Sequence, residues 1–247
     1  MTALLELRAV GVSFDGFRAL NDLNLALAPG ELRAVIGPNG AGKTTFLDVI
    51  TGKVRPSHGD VLFQGRSLVG LGEHRIARLG IGRKFQTPRV FENLSPRRNL
   101  ELVASRSSAP WELLFGRLDG PSREKVQRLL AVVGLENLAH ERAGSLSHGQ
   151  KQWLEIAMLV AQDPVLLLVD EPVAGLTDEE TQITADLLKQ LAGHHTVLVI
   201  EHDMDFIRDL NAPVTVLHEG HVLCEGSMDQ VQNDSRVIEV YLGQATD

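Results

Sequence analysis

The sequence has one cysteine, Cys224, so no internal disulfide framework can form, and a reducing compartment is expected. It has no window of about 18 apolar residues, so no membrane-spanning helix is expected. If the chain works at a membrane, something else must hold it there. The opening residues, Met1 to Glu6, lack a basic segment and a long apolar one, so no signal peptide is expected. Positive charge is in deficit: 24 Lys and Arg stand against 32 Asp and Glu, a formal net charge of -8. Such a surface offers no footprint for nonspecific nucleic-acid binding, although a local basic groove is not excluded. No internal repeat is evident. What remains is an ordinary globular composition, 247 residues with 43% hydrophobic and 23% charged, enough for one large domain or two small ones.

The first thirty residues alternate as strands do, with Leu5, Leu7 and Ala9 and then Leu23, Leu25 and Leu27 on one face; Asp15-Gly16 reads as the turn between them. Leu32 to Ile36 is a short apolar run, read as a buried strand. A glycine-rich loop follows, and Lys43 to Thr51 continues with helical spacing. Val61 to Phe63 is a further strand. Residues 87 to 163 lack long β-branched runs and carry helical segments. One opens at Ser95-Pro96, one spans Ser122 to Val133, and one runs from Gln150 to Ala161. Strand character returns at Val165 to Val169, Thr196 to Ile200 and Val214 to Leu217, with Asp178 to Leu191 as a crossover helix. Strand, helix, strand in that order predicts parallel pairing. The expectation is one α/β core, residues 1–86 plus 164–234, with a helical lobe between and a short surface helix at Asp234 to Gly243.

The stretch Gly37-Pro38-Asn39-Gly40-Ala41-Gly42-Lys43-Thr44-Thr45 matches G-x-x-x-x-G-K-[ST], with a strand before it and a helix after it. Its glycines let backbone N–H groups turn inward around an anion, and the helix N-terminus adds partial positive charge. Lys43 supplies a full charge for β- and γ-phosphates, and Thr44 offers a hydroxyl to Mg²⁺. The competing reading is a plain glycine-rich turn with an exposed lysine. The motif alone points to a nucleoside triphosphate and not to a particular reaction.

Two adjacent acids close the apolar run Leu166 to Val169. In phosphate-loop folds a second buried strand ends beside the loop with an acid that holds the metal, and Asp170 fits that role. Glu171, one residue on, is expected on the other face of the chain, where it reaches a water in line with the γ-phosphate as general base or orienting group. Alternatively, one acid caps the next helix and the other is solvated.

Leu146-Ser147-His148-Gly149-Gln150 lies shortly before these acids and opens a helix. With the motifs above, in this order over nearly the full chain, it resembles the ATP-binding cassette ATPases, the motor subunits of ABC transporters. The family's signature reads L-S-G-G-Q, and this chain has His148 at the first glycine, read as facing solvent. The resemblance implies an α/β phosphate-loop fold with a mostly parallel sheet, an N-terminal antiparallel β part and an inserted helical subdomain at 87–163, residues 235–247 forming a tail. It implies ATP and Mg²⁺ as ligands, and a second ATPase subunit whose nucleotide meets Ser147, Gly149 and Gln150. Gln86 falls on the family's Q-loop glutamine, which contacts the metal or the attacking water. His202 matches the switch histidine that reaches the γ-phosphate. Phe14 sits at the adenine-stacking position, with Phe17 as a competitor. Where the family usually has aspartate after "DEPVAGL", this chain has Thr177, so the contact chemistry of that turn does not carry over.

Residues 82–102 and the tail Arg236 to Gly243 resemble importer ATPases of the branched-chain amino-acid type. Within that group, residues 146–156, 170–181 and 218–232 look most like the ATPases of urea (short-chain amide) uptake. The resemblance therefore implies an ATPase energising uptake of urea or short amides, with branched-chain amino acids as the alternative cargo. It implies two membrane permease subunits, a solute-binding protein and no nucleic acid. The location implied is cytoplasmic, on the inner face of the membrane. Whether the ATPase pair is a homodimer or a heterodimer stays open. Pro88, Arg89, Val90, Phe91 and Leu94 suit the groove for a membrane subunit's helix, or else are core of the helical lobe. A soluble ABC ATPase of DNA or ribosomes and a non-hydrolysing ATP-gated module are the rival readings.

Overall fold

A computed structural model of the chain describes residues 3–84, 89–105 and 119–242. In chain order its main elements are β1 (Leu5–Phe14), β2 (Phe17–Leu27), β3 (Leu32–Ile36), α1 (Lys43–Ile50), β4 (His58–Phe63), β5 (Arg66–Ser67), α2 (Glu73–Arg78), β6 (Ile81–Lys84), α3 (Pro96–Ala104), α4 (Gly120–Val132) and α5 (His148–Val160). There follow β7 (Leu166–Asp170), α6 (Asp178–Leu191), β8 (Thr196–Ile200), α7 (Met204–Leu210), β9 (Val214–His218), β10 (His221–Gly226), α8 (Met228–Gln232) and α9 (Ser235–Leu242).

Alternation builds the first sheet. β1 and β2 pair antiparallel with Phe14 opposite Phe17, and the two-residue loop Asp15-Gly16 has φ 47° and 89°. Positive φ at both loop positions gives the turn whose twist matches a hairpin. Leu5 and Leu7 point inward as alternation requires, but Ala9 does not. It has φ 45° and sits in a register shift, its N–H donating to Asn24 Oδ1 at 2.8 Å. This bulge hands the inward position to Val10 and Val12, both buried. β4 pairs with the other edge of β1, giving the order β2-β1-β4-β5.

The second sheet has the order β10-β9-β3-β8-β7-β6. Neighbours from β9 to β6 run parallel, and β10 alone is antiparallel. β7 and β8 are buried at every position, which is why they read as unbroken apolar runs. Their successive side chains enter two different clusters. Leu166, Leu168, Leu198 and Ile200 join Phe46, Leu47 and Ile50 of α1 and the inward residues of the first sheet. Leu167, Val169, Val197 and Val199 join Leu100, Val126, Leu130, Trp153 and Leu154 of the helical segment, together with Leu188 of α6. The second sheet is therefore the middle layer, and the inserted helices have no core separate from it.

Local signals start the helices where expected. Ser95 Oγ accepts from Arg98 N at 3.2 Å, with Pro96 in the first turn of α3. Asn99 is fully buried and spans the loop before α3, accepting from Phe91 N at 2.8 Å and donating to Phe91 O and Ser95 O. α9 is the expected surface helix, with Ile238 exposed, and it anchors Val237 against the helical side of the core. Among the described residues no helix is long and apolar enough to cross a membrane.

Candidate nucleotide site

β3, β8, β7 and β6 end at the same edge of the parallel sheet, so the loops that leave them converge, as expected for a ligand site at strand carboxyl ends. The loop after β3 is the glycine-rich one. A Cβ on Gly37 would lie 2.3 Å from Leu217 O, and one on Gly42 would lie 2.5 Å from Ala19 O. The loop is thus wedged between β9 and β2 where only glycine fits. Gly42, with φ 99°, is the N-cap of α1 and provides no side-chain cap. The first-turn amides of α1, from Lys43, Thr44 and Thr45, therefore remain donors. Lys43 Nζ donates to Gly37 O at 2.6 Å and Pro38 O at 2.9 Å, which ties the loop's carbonyls to the cation and leaves its N–H side for an anion. Burial lowers the Lys43 pKa, against the carboxylates of Glu171, Asp170 and Glu201, which raise it. Three acids are therefore close enough to act on this lysine.

Asp170 ends β7 and is buried. Its Oδ2 accepts from Arg83 Nη2 at 3.0 Å, while Arg83 Nη1 donates to Asp48 Oδ1 at 2.6 Å and Lys53 pairs with Asp48 at 3.2 Å. This chain of charges ties β6, β7 and α1 together, and it engages Oδ2 of the Asp170 carboxylate. Glu171 does leave the face occupied by Asp170, but not by strand alternation. It has φ 45°, left-handed and directly before Pro172, a conformation that costs a non-glycine residue about 1–2 kcal/mol. Its N–H donates to Ile200 O at 2.9 Å, and its Oε1 lies 3.9 Å from His202 Nδ1. The strained turn is what brings Glu171 and His202 together.

Between them lies Glu201, which the sequence reading passed over. It is 1% exposed, with Oε1 accepting from Val173 N at 3.2 Å and Oε2 from His202 N at 2.8 Å and Asp203 N at 3.3 Å. Burial raises its pKa, and those three N–H groups oppose the rise. A signal for it existed: Glu201 closes the apolar run of β8 as Asp170 closes that of β7. Lys84, fully buried at the end of β6, was also missed. Burial lowers its pKa against Glu155, Asp170, Glu201 and Glu171. Gln86, two residues further, lies outside the described residues, as does Pro88.

The signature residues form a separate cluster. Ser147 and Gln150 make a capping box at the start of α5, so Gln150 is engaged in the cap, accepting from Ser147 N at 3.0 Å. Ser147 Oγ donates to Glu180 Oε1 at 3.2 Å, and the same carboxylate would lie 2.6 Å from a Cβ on Gly149. Among the described residues, none of the hydrogen bonds of Ser147, Gly149 or Gln150 reaches residues 37–45. His148 is exposed yet not merely solvated: its Nε2 is 3.0 Å from Gln152 Nε2, which also donates to Ala174 O. Thr177, the departure from the family's aspartate, caps α6 through Oγ1 and Glu180 N at 3.2 Å. Beside the phosphate loop, a cavity of about 460 Å³ is lined by Phe17, Asn39, Gly40, His218 and His221 among others. Phe14, also exposed, pairs with Phe17 across the hairpin and is not in that lining.

A glycine-wedged phosphate loop and an acid-tipped parallel strand on one sheet edge define a phosphate-loop nucleotide-binding protein. The family described as ABC transporter matches residues 20–174, and that described as branched-chain amino acid ATP-binding cassette transporter matches residues 221–247. The high-affinity branched-chain amino acid transport ATP-binding protein LivG of Escherichia coli is 37% identical, over 98% of each chain. The crystal structure of the ADP conformation of an ATP-binding cassette of an ABC transporter superposes with TM-score 0.85 at 28% identity, covering 98% of this chain and 100% of that one. A dimeric post-hydrolysis ATP-binding cassette bound to ADP and Pi superposes with TM-score 0.74 at 26% identity, over 91% and 98%. The chain belongs to the ABC transporter family, as an ATP-hydrolysing subunit of the branched-chain amino acid transport group. The narrower urea resemblance finds no support among these relatives.

Proposed function

We propose that the chain hydrolyses ATP to energise import of branched-chain amino acids through separate membrane subunits. The observation that carries the ATPase part is the convergence of the phosphate loop, Asp170, Glu171 and His202 on one sheet edge. The cargo rests on the relatives. Urea or a short amide stands second, supported by residues 146–156, 170–181 and 218–232 alone.

The loop from Gly37 to Thr45 holds the triphosphate through its amides and Lys43. The donor set suits Mg²⁺, since the Thr44 hydroxyl and the Asp170 carboxylate offer hard oxygens and Gln86 adds an amide oxygen. When bound, Mg²⁺ would supply charge neutralisation to the triphosphate. Glu171 takes a proton from the attacking water or orients it, while His202 hydrogen-bonds the γ-phosphate. The P–O bond to the leaving ADP then breaks as the water oxygen bonds to phosphorus, giving ADP and phosphate. Phe14 or Phe17 stacks on adenine; the cavity lining favours Phe17. Ser147, Gly149 and Gln150 meet the nucleotide of a second ATPase subunit.

Residues 1–86 with 164–234 serve as nucleotide-binding core, 87–163 as helical subdomain and 235–247 as tail. The subunit sits at the cytoplasmic face, held by two permease subunits that a solute-binding protein supplies. Phe91, 53% exposed beside part-buried Val90 and Leu94, is the apolar contact for a permease helix.

Phosphate release from ATP and Mg²⁺ tests the reading. Glu171→Gln should keep ATP binding and accumulate an ATP-bound dimer; hydrolysis by that variant at the wild-type rate would remove Glu171 from the mechanism. Cargo binding by the co-purified solute-binding protein separates branched-chain amino acids from urea.

A further inference from the structure

We infer that Glu201 is a positioning residue for ATP hydrolysis, holding Glu171 and His202 in register by gripping the loops that leave β7 and β8. The inference rests on the proposed roles of Glu171 and His202, and it adds a residue whose buried carboxylate is turned to backbone N–H groups.

The geometry is specific. Glu171 occupies a left-handed conformation that the chain would abandon unless neighbouring contacts fixed it. One contact lies on the N-terminal side, where Glu171 N donates to Ile200 O at 2.9 Å. The other lies two residues downstream, where Val173 N donates to Glu201 Oε1 at 3.2 Å. Glu201 thus closes the turn from its far side. Its second oxygen accepts from His202 N and Asp203 N and stands 3.4 Å from His202 Nδ1. One carboxylate therefore sets both the exit of β7, which aims Glu171, and the exit of β8, which aims His202. Its own N–H donates to Val35 O at 3.3 Å, so the clamp is anchored to β3, the strand that feeds the phosphate loop. An acid 1% exposed is costly to keep charged, and three backbone N–H donors are what make it tolerable. A serine would be too short to reach both loops, and an apolar residue would offer neither of them an acceptor.

Glu201→Gln is the informative variant. It is isosteric and removes a buried charge, so folding is expected to survive. An amide has one acceptor oxygen, so its NH₂ must face an N–H on one side and release either Val173 or the His202–Asp203 pair. The expected result is a fall in kcat of about 10-fold or more, the worth of one charge-assisted hydrogen bond, with MgATP affinity by calorimetry within about 3-fold of wild type. In a His202→Ala background the same change should cost less than it does alone, because the two residues act through one another. The inference is overturned if kcat stays within about 2-fold of wild type with binding intact. It is equally overturned if affinity and melting temperature fall together with kcat, which a merely structural role would give, or if the two losses multiply. The parent reading fails separately: there Glu171→Gln hydrolyses normally whatever Glu201→Gln does.

Discussion

Arg83→Met tests the charge chain that fixes Asp170. The Arg83 guanidinium is 6% exposed and bridges Asp48 at 2.6 Å and Asp170 at 3.0 Å, side chains 10% and 8% exposed. Methionine keeps the bulk of the stem and removes the cation. Asp48 retains Lys53, whereas Arg83 makes the one hydrogen bond to the Asp170 carboxylate within the described residues. Removing one partner of a buried ion pair costs about 3–5 kcal/mol, because the survivor keeps only the longer-range pull of Lys43 and Lys84. At roughly 2.1 cal/mol/K of unfolding entropy per residue, a chain of this length has an unfolding entropy of about 0.5 kcal/mol/K, so the melting temperature should drop by about 6–10 °C. Scanning calorimetry measures it. Adding Asp170→Asn, which takes away the stranded charge, should restore more than half of the loss. A drop below about 2 °C, or no recovery in the double variant, would refute the reasoning.

Gly37→Ala forces a Cβ to 2.3 Å from Leu217 O, so β9 or the loop must shift; MgATP affinity should fall at least about 10-fold in a calorimetric titration. Phe91→Glu, at a 53% exposed position, should leave melting within about 0.5 kcal/mol and ATP binding unchanged, yet abolish stimulation of ATPase activity by the membrane subunits. Loss of folding there would return Phe91 to the core. Glu155→Gln probes pH dependence: burial raises the Glu155 pKa above its ordinary 4.5, against Lys84 and the Arg89 N–H. From pH 4.5 up through that raised value the folded state keeps a proton the unfolded chain has lost, so this group's contribution to stability falls as pH rises. Urea midpoints of the variant should decline less across that window than those of wild type. Glu201 carries the same sign in both proteins and cancels in the comparison.

The parallel strands were legible because burial on both faces leaves an unbroken apolar run, as in Leu166 to Val169 and Thr196 to Ile200. The phosphate loop was legible because its glycines and lysine answer to local geometry. β6 was not: two of its four residues are Arg83 and Lys84, which look solvated until Asp48, Asp170 and Glu155 arrive from other elements. Glu171 illustrates a second limit. Its place at a strand end gave the right neighbourhood, but its left-handed φ depends on Ile200 and Glu201 and leaves no trace in the local pattern. The bulge at Ala9 is a third case: the apolar phase shifts from Leu5 and Leu7 to Val10 and Val12, but Ala9 fits the first phase and hides the slip. Glu180 is a fourth: it reads as a surface acid in the first turn of α6, yet it meets both Ser147 and the cap at Thr177.

The helices between β6 and β7 bury Trp153, Leu154 and Val126 in the same cluster as Val169 and Val199 of the sheet. Neither side can therefore be cut away as a free-standing module. A fragment without residues 89–163 would uncover part of one face of the central strands, which α6 and α7 cover only in part, a sticky surface that recruits other chains. A helical fragment alone would lack the floor it is packed upon. Parting the two regions would expose that shared greasy seam, at a cost set by the apolar area uncovered.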